Sequence, residues 1–133
     1  RGIYILDNGI DAELDDTWKK ILDKMDFVIV QSYVMTSFAK SADIILPGLA
    51  PFESEGTITN DRGYVQWLRP SLPVKGEGRP DWEILNLLDD TDNHFNDISD
   101  LMKDMGKQFP PYSDISFFKL GDRGISLSEE AEA

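Results

Sequence analysis

Three short polar groups in this chain have the types and spacing to bind a hydrogen-bonding or charged ligand. They are Asp7-Asn8-Gly9, Gln31-Ser32, and Asn60 with Arg62 two residues later. Carboxylate and amide side chains accept and donate in pairs, and a guanidinium matches a phosphate in fork geometry. For the third group a purely conformational reading competes: Asn60 and Gly63 suit a turn, and Thr57 and Thr59 suit strands. No set of residues assembles a catalytic centre. Glu53 and Glu55 stand two apart, as an acid and a base can, but no nucleophile or metal motif accompanies them, so a solvated loop is the simpler reading. His94, the only histidine, lies in a polar link and reads as a surface residue. With no cysteine, disulfides, thiolate metal sites and a Cys nucleophile are excluded within these residues. No catalytic residue and no metal ligand is assigned.

The elements that must position these groups follow from hydrophobic periodicity. Ile3-Tyr4-Ile5-Leu6 is a β-rich run ending in a turn at Asp7-Asn8-Gly9. Leu14, Trp18, Ile21, Leu22 and Met25 recur at helical spacing and predict an amphipathic helix of about three turns. Phe27-Val28-Ile29-Val30 is continuously apolar, as in a parallel strand covered on both faces. A short helix is expected over Thr36 to Ser41, then a third strand at Ile44-Ile45-Leu46, stopped by Pro47-Gly48. Strand, helix, strand, helix, strand implies a half-Rossmann parallel sheet. In such sheets ligands bind beyond the carboxyl ends of the strands, where Asp7 to Ile10, Gln31 to Tyr33 and Pro47 to Leu49 lie.

Past Glu55 the pattern changes. Gly56 to Asn60 and Tyr64 to Leu68 predict a hairpin around Asp61-Arg62-Gly63. Pro70, Pro73, Gly76, Gly78 and Pro80 mark an extended segment leading into a helix over Asp81 to Leu88, with proline at its start. A last helix is predicted over Asn96 to Gly106, and Tyr112 to Ile125 is expected to add an edge strand. The fold class is therefore α/β: a half-Rossmann parallel sheet followed by a β-hairpin and C-terminal helices. Residues 1–90 are read as the α/β domain, 91–126 as a helical and extended piece packed on it, and 127–133 as a frayed acidic tail.

The formal net charge of −12 makes nucleic acid a poor partner, because phosphates would be repelled. The acids crowd into Asp11 to Asp26, Asp89 to Asp104 and Glu129 to Glu132, which suits a solvated face or the docking of a basic subunit. No run approaches the roughly twenty apolar residues of a membrane helix, so direct membrane insertion is not expected. The start at Arg1, leading directly into an apolar run, is read as a cut through a larger protein.

Three pieces in fixed order carry a family resemblance: Ala42-Asp43-Ile44-Ile45-Leu46-Pro47, Glu55-Gly56-Thr57-Ile58-Thr59-Asn60, and Arg79-Pro80-Asp81-Trp82-Glu83-Ile84. Together they resemble the molybdopterin oxidoreductase superfamily, over roughly residues 2 to 125. That superfamily includes formate dehydrogenases, nitrate reductases and the large peripheral subunit of NADH-quinone oxidoreductases. The resemblance implies that the loops at the strand ends hold one guanine dinucleotide arm of a molybdopterin cofactor. Asp7, Asn8, Gly9, Gln31, Ser32, Asn60 and Arg62 are the candidate contacts, with Asn60 on a base or ribose and Arg62 on a pyrophosphate. Family members usually carry Gly-Glu-Asn-Pro in the first loop, then Gln-Asp and Thr-Glu-Thr. Here Ser32 and Ser37 stand where acids are expected, and a hydroxyl reads a guanine donor edge less fully than a carboxylate.

These departures favour a scaffold piece of the large subunit of an NADH-quinone oxidoreductase, with no cofactor in this piece and iron–sulfur clusters elsewhere in the parent. The alternative is the cofactor-holding part of a molybdenum or tungsten enzyme such as a formate dehydrogenase, in which molybdopterin guanine dinucleotide is bound. A non-redox acidic interaction domain is a third reading. The expected partners are the rest of the parent subunit and other subunits of an oxidoreductase complex, in the cytoplasm and peripheral to the inner membrane. The isolated chain is expected to be inactive and to self-associate.

Overall fold

Continuous apolar runs place the first three strands. In the computed structural model, which describes residues 1–10, 13–91 and 94–127, β1 (Gly2–Leu6), β2 (Phe27–Ser32) and β3 (Ile44–Pro47) form a parallel sheet in the order β1-β2-β3. The register pairs Ile3 with Val28, Leu6 with Gln31, Val30 with Ile45 and Ser32 with Pro47. Consecutive strand order with two right-handed crossovers sets both connecting helices on one face. These helices are α1 (Asp16–Leu22) and α2 (Ser37–Lys40). Val28, Val30 and Ala39 form the core between sheet and helices, with Ile3, Ile5, Leu22, Met25, Phe38 and Ala42 packed around them. Trp18 meets Phe38 edge to face at 5.0 Å, joining the two helices.

Helix α1 is shorter than its apolar spacing predicts. The Asp15 carboxylate accepts the Trp18 amide at 2.8 Å and fixes the first turn there, leaving Leu14 outside the helix. The opposite face of the sheet carries Tyr4, Leu6, Ile29, Gln31, Ile44 and Leu46, since the side chains alternate. Leu6 and Ile44 on that face are 59% and 44% exposed, so the sheet presents apolar surface there.

The chain folds as two compact units. The first combines Arg1–Pro51 with a returning segment, Pro73–Ile84; the second comprises Phe52–Leu72 and the residues from Leu85 on. In the returning segment Arg79 forms a parallel bridge with Gly48, its amide donating to the Pro47 carbonyl at 3.0 Å. Pro80 then starts α3 (Asp81–Leu88), its carbonyl accepting the amides of Glu83 and Ile84 at 3.0 and 3.1 Å.

In the second unit β4 (Gly56–Thr59) and β5 (Tyr64–Leu68) form the expected antiparallel hairpin. The edge strand expected over Tyr112 to Ile125 is confined to β6 (Ile125–Ser126), which pairs antiparallel with β5. The residues before it wind instead into a 3-10 turn at Pro110–Tyr112 and α5 (Phe117–Leu120), which the Ser116 hydroxyl caps at 3.3 Å. Helix α4 (Ile98–Gln108) starts at Asp97, whose carboxylate accepts the Ser99 and Asp100 amides at 2.8 and 2.9 Å. Val65, Met102, Ile115 and Leu120 make the core of this unit. Of the acidic tail read at 127–133, residues 128–133 lie outside the described residues; the Leu127 amide donates to the Gly63 carbonyl at 2.9 Å. Among the described residues no helix is long and apolar enough to cross a membrane.

Candidate functional site

At the carboxyl ends of the parallel strands, three loops of the first unit are tied to one another. The Asp7 amide donates to the Gln31 carbonyl at 2.9 Å, and the Gly48 amide to the Ser32 carbonyl at 3.1 Å, so the ladder runs directly into the loops. The Asp7 carboxylate is divided: one oxygen accepts the Gly9 amide at 3.0 Å, the other the Thr36 hydroxyl. Thr36, 1% exposed, also accepts the Ala39 amide at 3.1 Å and caps α2. Asn8 closes its own turn, its side-chain oxygen accepting the Ile10 amide at 3.1 Å, while its carbonyl accepts the Tyr33 hydroxyl at 3.3 Å.

Gly9 is required where it stands. Its φ of 76° lies in the left-handed region, and a Cβ would meet the Tyr33 ring at 2.4 Å. The Tyr33 ring thus closes over the first loop, and the rim exposes Ile10 (71%), Tyr33, Val34 and Met35 (57%).

Gln31 joins the sheet to the returning segment. It is 1% exposed, its amide oxygen accepts the Tyr4 hydroxyl, and its amide nitrogen donates to Asp81 Oδ1 at 2.5 Å. Burial, and then the charge of Asp81, push the Tyr4 phenol above its ordinary value. Gly78 lets the segment approach: a Cβ there would sit 2.8 Å from the Gly48 carbonyl oxygen. Asp81 is exposed, so one edge of its carboxylate is fixed by Gln31 while the residue remains open to solvent.

The structure therefore brings Asp7, Asn8, Gly9, Gln31 and Ser32 together. Gln31 is a brace, with both ends of its amide engaged. Ser32, 6% exposed, sits with its hydroxyl 3.4 Å from the Val34 amide that donates to it. Asn60 and Arg62 belong to the second unit, on the β4–β5 turn. The Asn60 side-chain oxygen accepts the Arg62 and Tyr64 amides at 2.9 and 3.0 Å, the turn role that competed with ligand binding. Arg62 is exposed and makes no ion pair among the described residues. Tyr4, Thr36 and Asp81 were not singled out from sequence as site residues. The proline and acid at the start of α3 announced a helix, and nothing linear placed them beside Gln31. A cavity of about 300 Å³ lined by Lys19, Asp23, Met25, Val28, Ser41 and Asp43 opens near the amino end of β2 and includes none of these loops.

Comparison with known proteins agrees with the motifs. The profile of the family described as molybdopterin oxidoreductase matches residues 1–91. The alpha subunit of F420-dependent formate dehydrogenase 2 of Methanococcus maripaludis is 33% identical over 120 residues, 86% of this chain and 18% of that protein. The F420-dependent formate dehydrogenase subunit alpha of Methanocaldococcus jannaschii is 32% identical over 112 residues, 80% of this chain and 17% of its own length. The chain thus spans less than a fifth of the length of these relatives. By its family profile, its ordered motifs and its parallel sheet, the chain belongs to the molybdopterin oxidoreductase family.

Proposed function

We propose that this chain is the part of a formate dehydrogenase-type large subunit that holds the nucleotide arm of a molybdopterin guanine dinucleotide cofactor. The observation that supports it best is the set of cross-tied loops at the carboxyl ends of the parallel strands, where such sheets take their ligands. The residues fit a nucleotide: the first and second loops are fixed in shape by Asp7, Thr36 and Tyr33, and an open carboxylate and an apolar rim stand beside them. Preorganised loops lower the ordering cost of binding. When bound, the pterin's metal supplies the two-electron chemistry of the parent enzyme. The part of this chain is to bind and orient. Asn8 offers its amide nitrogen to the ligand.

The formate dehydrogenase relatives favour this reading over the scaffold of an NADH-quinone oxidoreductase. The scaffold reading keeps one observation, the serines at positions 32 and 37. Iron–sulfur clusters and further subunits would belong to the parent protein in either case. Titration with GDP, followed by amide NMR shifts, tests the proposal. Shifts centred on Asn8, Gly9, Ser32, Tyr33 and Gly48 are expected. Shifts scattered over the surface, or none at millimolar GDP, would return the assignment to the scaffold role.

A further inference from the structure

We propose that Asn8-Gly9 is a self-modification site at the mouth of the crevice, where the Gly9 backbone nitrogen attacks the Asn8 side-chain carbonyl and the amide becomes a carboxylate. Asn8 is the only asparagine of the chain that is followed by glycine. With no Cβ on the following residue, the attacking nitrogen meets the least hindrance.

The turn holds the reacting atoms together. Asn8 Oδ1 accepts the Ile10 amide at 3.1 Å, which folds the side chain back along the backbone past Gly9 and polarises the carbonyl to be attacked. The Gly9 N–H donates to Asp7 Oδ1 at 3.0 Å, so an acceptor for the departing proton is already in place. Asn8 is exposed and open to water, and its amide nitrogen, the leaving group, makes no hydrogen bond among the described residues. The other described asparagines are held differently. Asn60 spends its oxygen on the Arg62 and Tyr64 amides, Asn86 is engaged by Phe95 at both ends of its amide, and Asn96 donates to Asp100.

In the reaction a Gly9 N–Asn8 Cγ bond forms and closes a succinimide ring. The Cγ–Nδ2 bond breaks, and ammonia leaves with the proton that the Gly9 amide gives up. Water then opens the ring at either carbonyl and leaves aspartate or isoaspartate at position 8. Water is consumed, ammonia is released, and nothing is oxidised or reduced. The consequence rests on the nucleotide-arm reading above: a new carboxylate beside Asp7 repels the phosphates of a nucleotide, and the amide donor of Asn8 is lost. The loop then works as an ageing switch on the crevice.

The test is timed incubation of the full 133-residue chain in mildly alkaline buffer, read by peptide mapping that separates asparagine, aspartate and isoaspartate. Asn8 should be consumed before any other asparagine, with isoaspartate formed. It should react at least as fast in the folded chain as in the same chain unfolded in urea. Asn8→Gln, which needs a larger ring, should stay intact over the same period. Asn8→Asp, the product itself, should bind GDP about fivefold more weakly than the parent, the effect of one like charge about 4 Å from a phosphate in water. An Asn8 that reacts in urea but is spared in the folded chain, or another asparagine that reacts sooner, would overturn the site. An Asn8→Asp chain that binds GDP like the parent would overturn the consequence for the crevice. Failure of the parent chain to bind GDP would sink the nucleotide-arm reading and leave the modification standing.

Discussion

Tyr4→Phe isolates one hydrogen bond whose loss water cannot repair. The Tyr4 hydroxyl donates to the Gln31 amide oxygen, and Gln31 is 1% exposed, so the variant leaves a buried acceptor without a partner. Such an orphan costs roughly 1–3 kcal/mol. Removing the half-buried hydroxyl returns a few tenths of a kcal/mol, so the net loss is about 1.5 kcal/mol. With a urea slope of about 2 kcal/mol per molar, the first unit should unfold at a midpoint about 0.8 M lower. The methyl signals of Val28 and Val30, 4% and 0% exposed, report that unit specifically. Tyr33→Phe is the comparison: its hydroxyl bond to Asn8 is 3.3 Å long and exposed, and its loss should cost less than about 0.5 kcal/mol. The pH dependence gives a second readout. Burial first, then Asp81, raise the folded phenol of Tyr4, so folding favours its neutral form. That contribution is complete below the unfolded phenol value near 10 and is lost as pH rises through the folded value. The gap between parent and variant should therefore narrow above about pH 10. A midpoint shift under about 0.2 M at neutral pH, corresponding to less than about 0.5 kcal/mol, would show that Gln31 is not braced by Tyr4.

Two further outcomes are expected. Gly106→Ala in α4 gains about 1 kcal/mol of helix propensity, but its Cβ would stand 2.9 Å from the Tyr112 carbonyl oxygen and 3.1 Å from Ser113 Cα. Both are backbone atoms of a hydrogen-bonded turn, so overpacking of roughly 1–3 kcal/mol should win, and thermal unfolding followed at Val65 should show net destabilisation. The isolated chain should give only background rates with formate or NADH and an artificial dye, since it has no cysteine and no assigned catalytic group. Turnover that co-purifies with the chain would refute this.

Most elements were legible because each is written locally. The apolar runs at Ile3 to Leu6 and Phe27 to Val30 are parallel strands, Pro80 opens α3, and Asp61-Arg62-Gly63 closes a hairpin. Boundaries moved where a capping side chain decided them: Asp15 shortened α1, and Ser116 turned part of the expected edge strand into α5. The site was legible by halves. The first two loops follow from topology, because strand ends in a parallel sheet mark the crevice. The pairing of Gln31 with Asp81, fifty residues apart, was not legible. It depends on how the strap crosses Gly48, and only the absence of a Cβ at Gly78 hints at that approach. The serines at 32 and 37 read as lost acceptors in sequence, and the structure shows the Ser32 hydroxyl accepting the Val34 amide of its own loop.

The bridge between Gly48 and Arg79 also sets an order in time. The three parallel strands and their helices use short connections and can pair as soon as β3 has emerged from the ribosome. The residue that completes the crevice is made about thirty residues later, which at typical synthesis rates of 5–20 residues per second is a delay of roughly 2–6 s. During that interval Gln31 has Tyr4 but not Asp81, and the end of β3 lacks its strap. A nascent chain paused between residues 52 and 72 would therefore expose an incomplete crevice. Closing a loop of this length costs little more entropy than closing a shorter one, about 0.6 kcal/mol per doubling, so the delay is set by synthesis and not by the chain search.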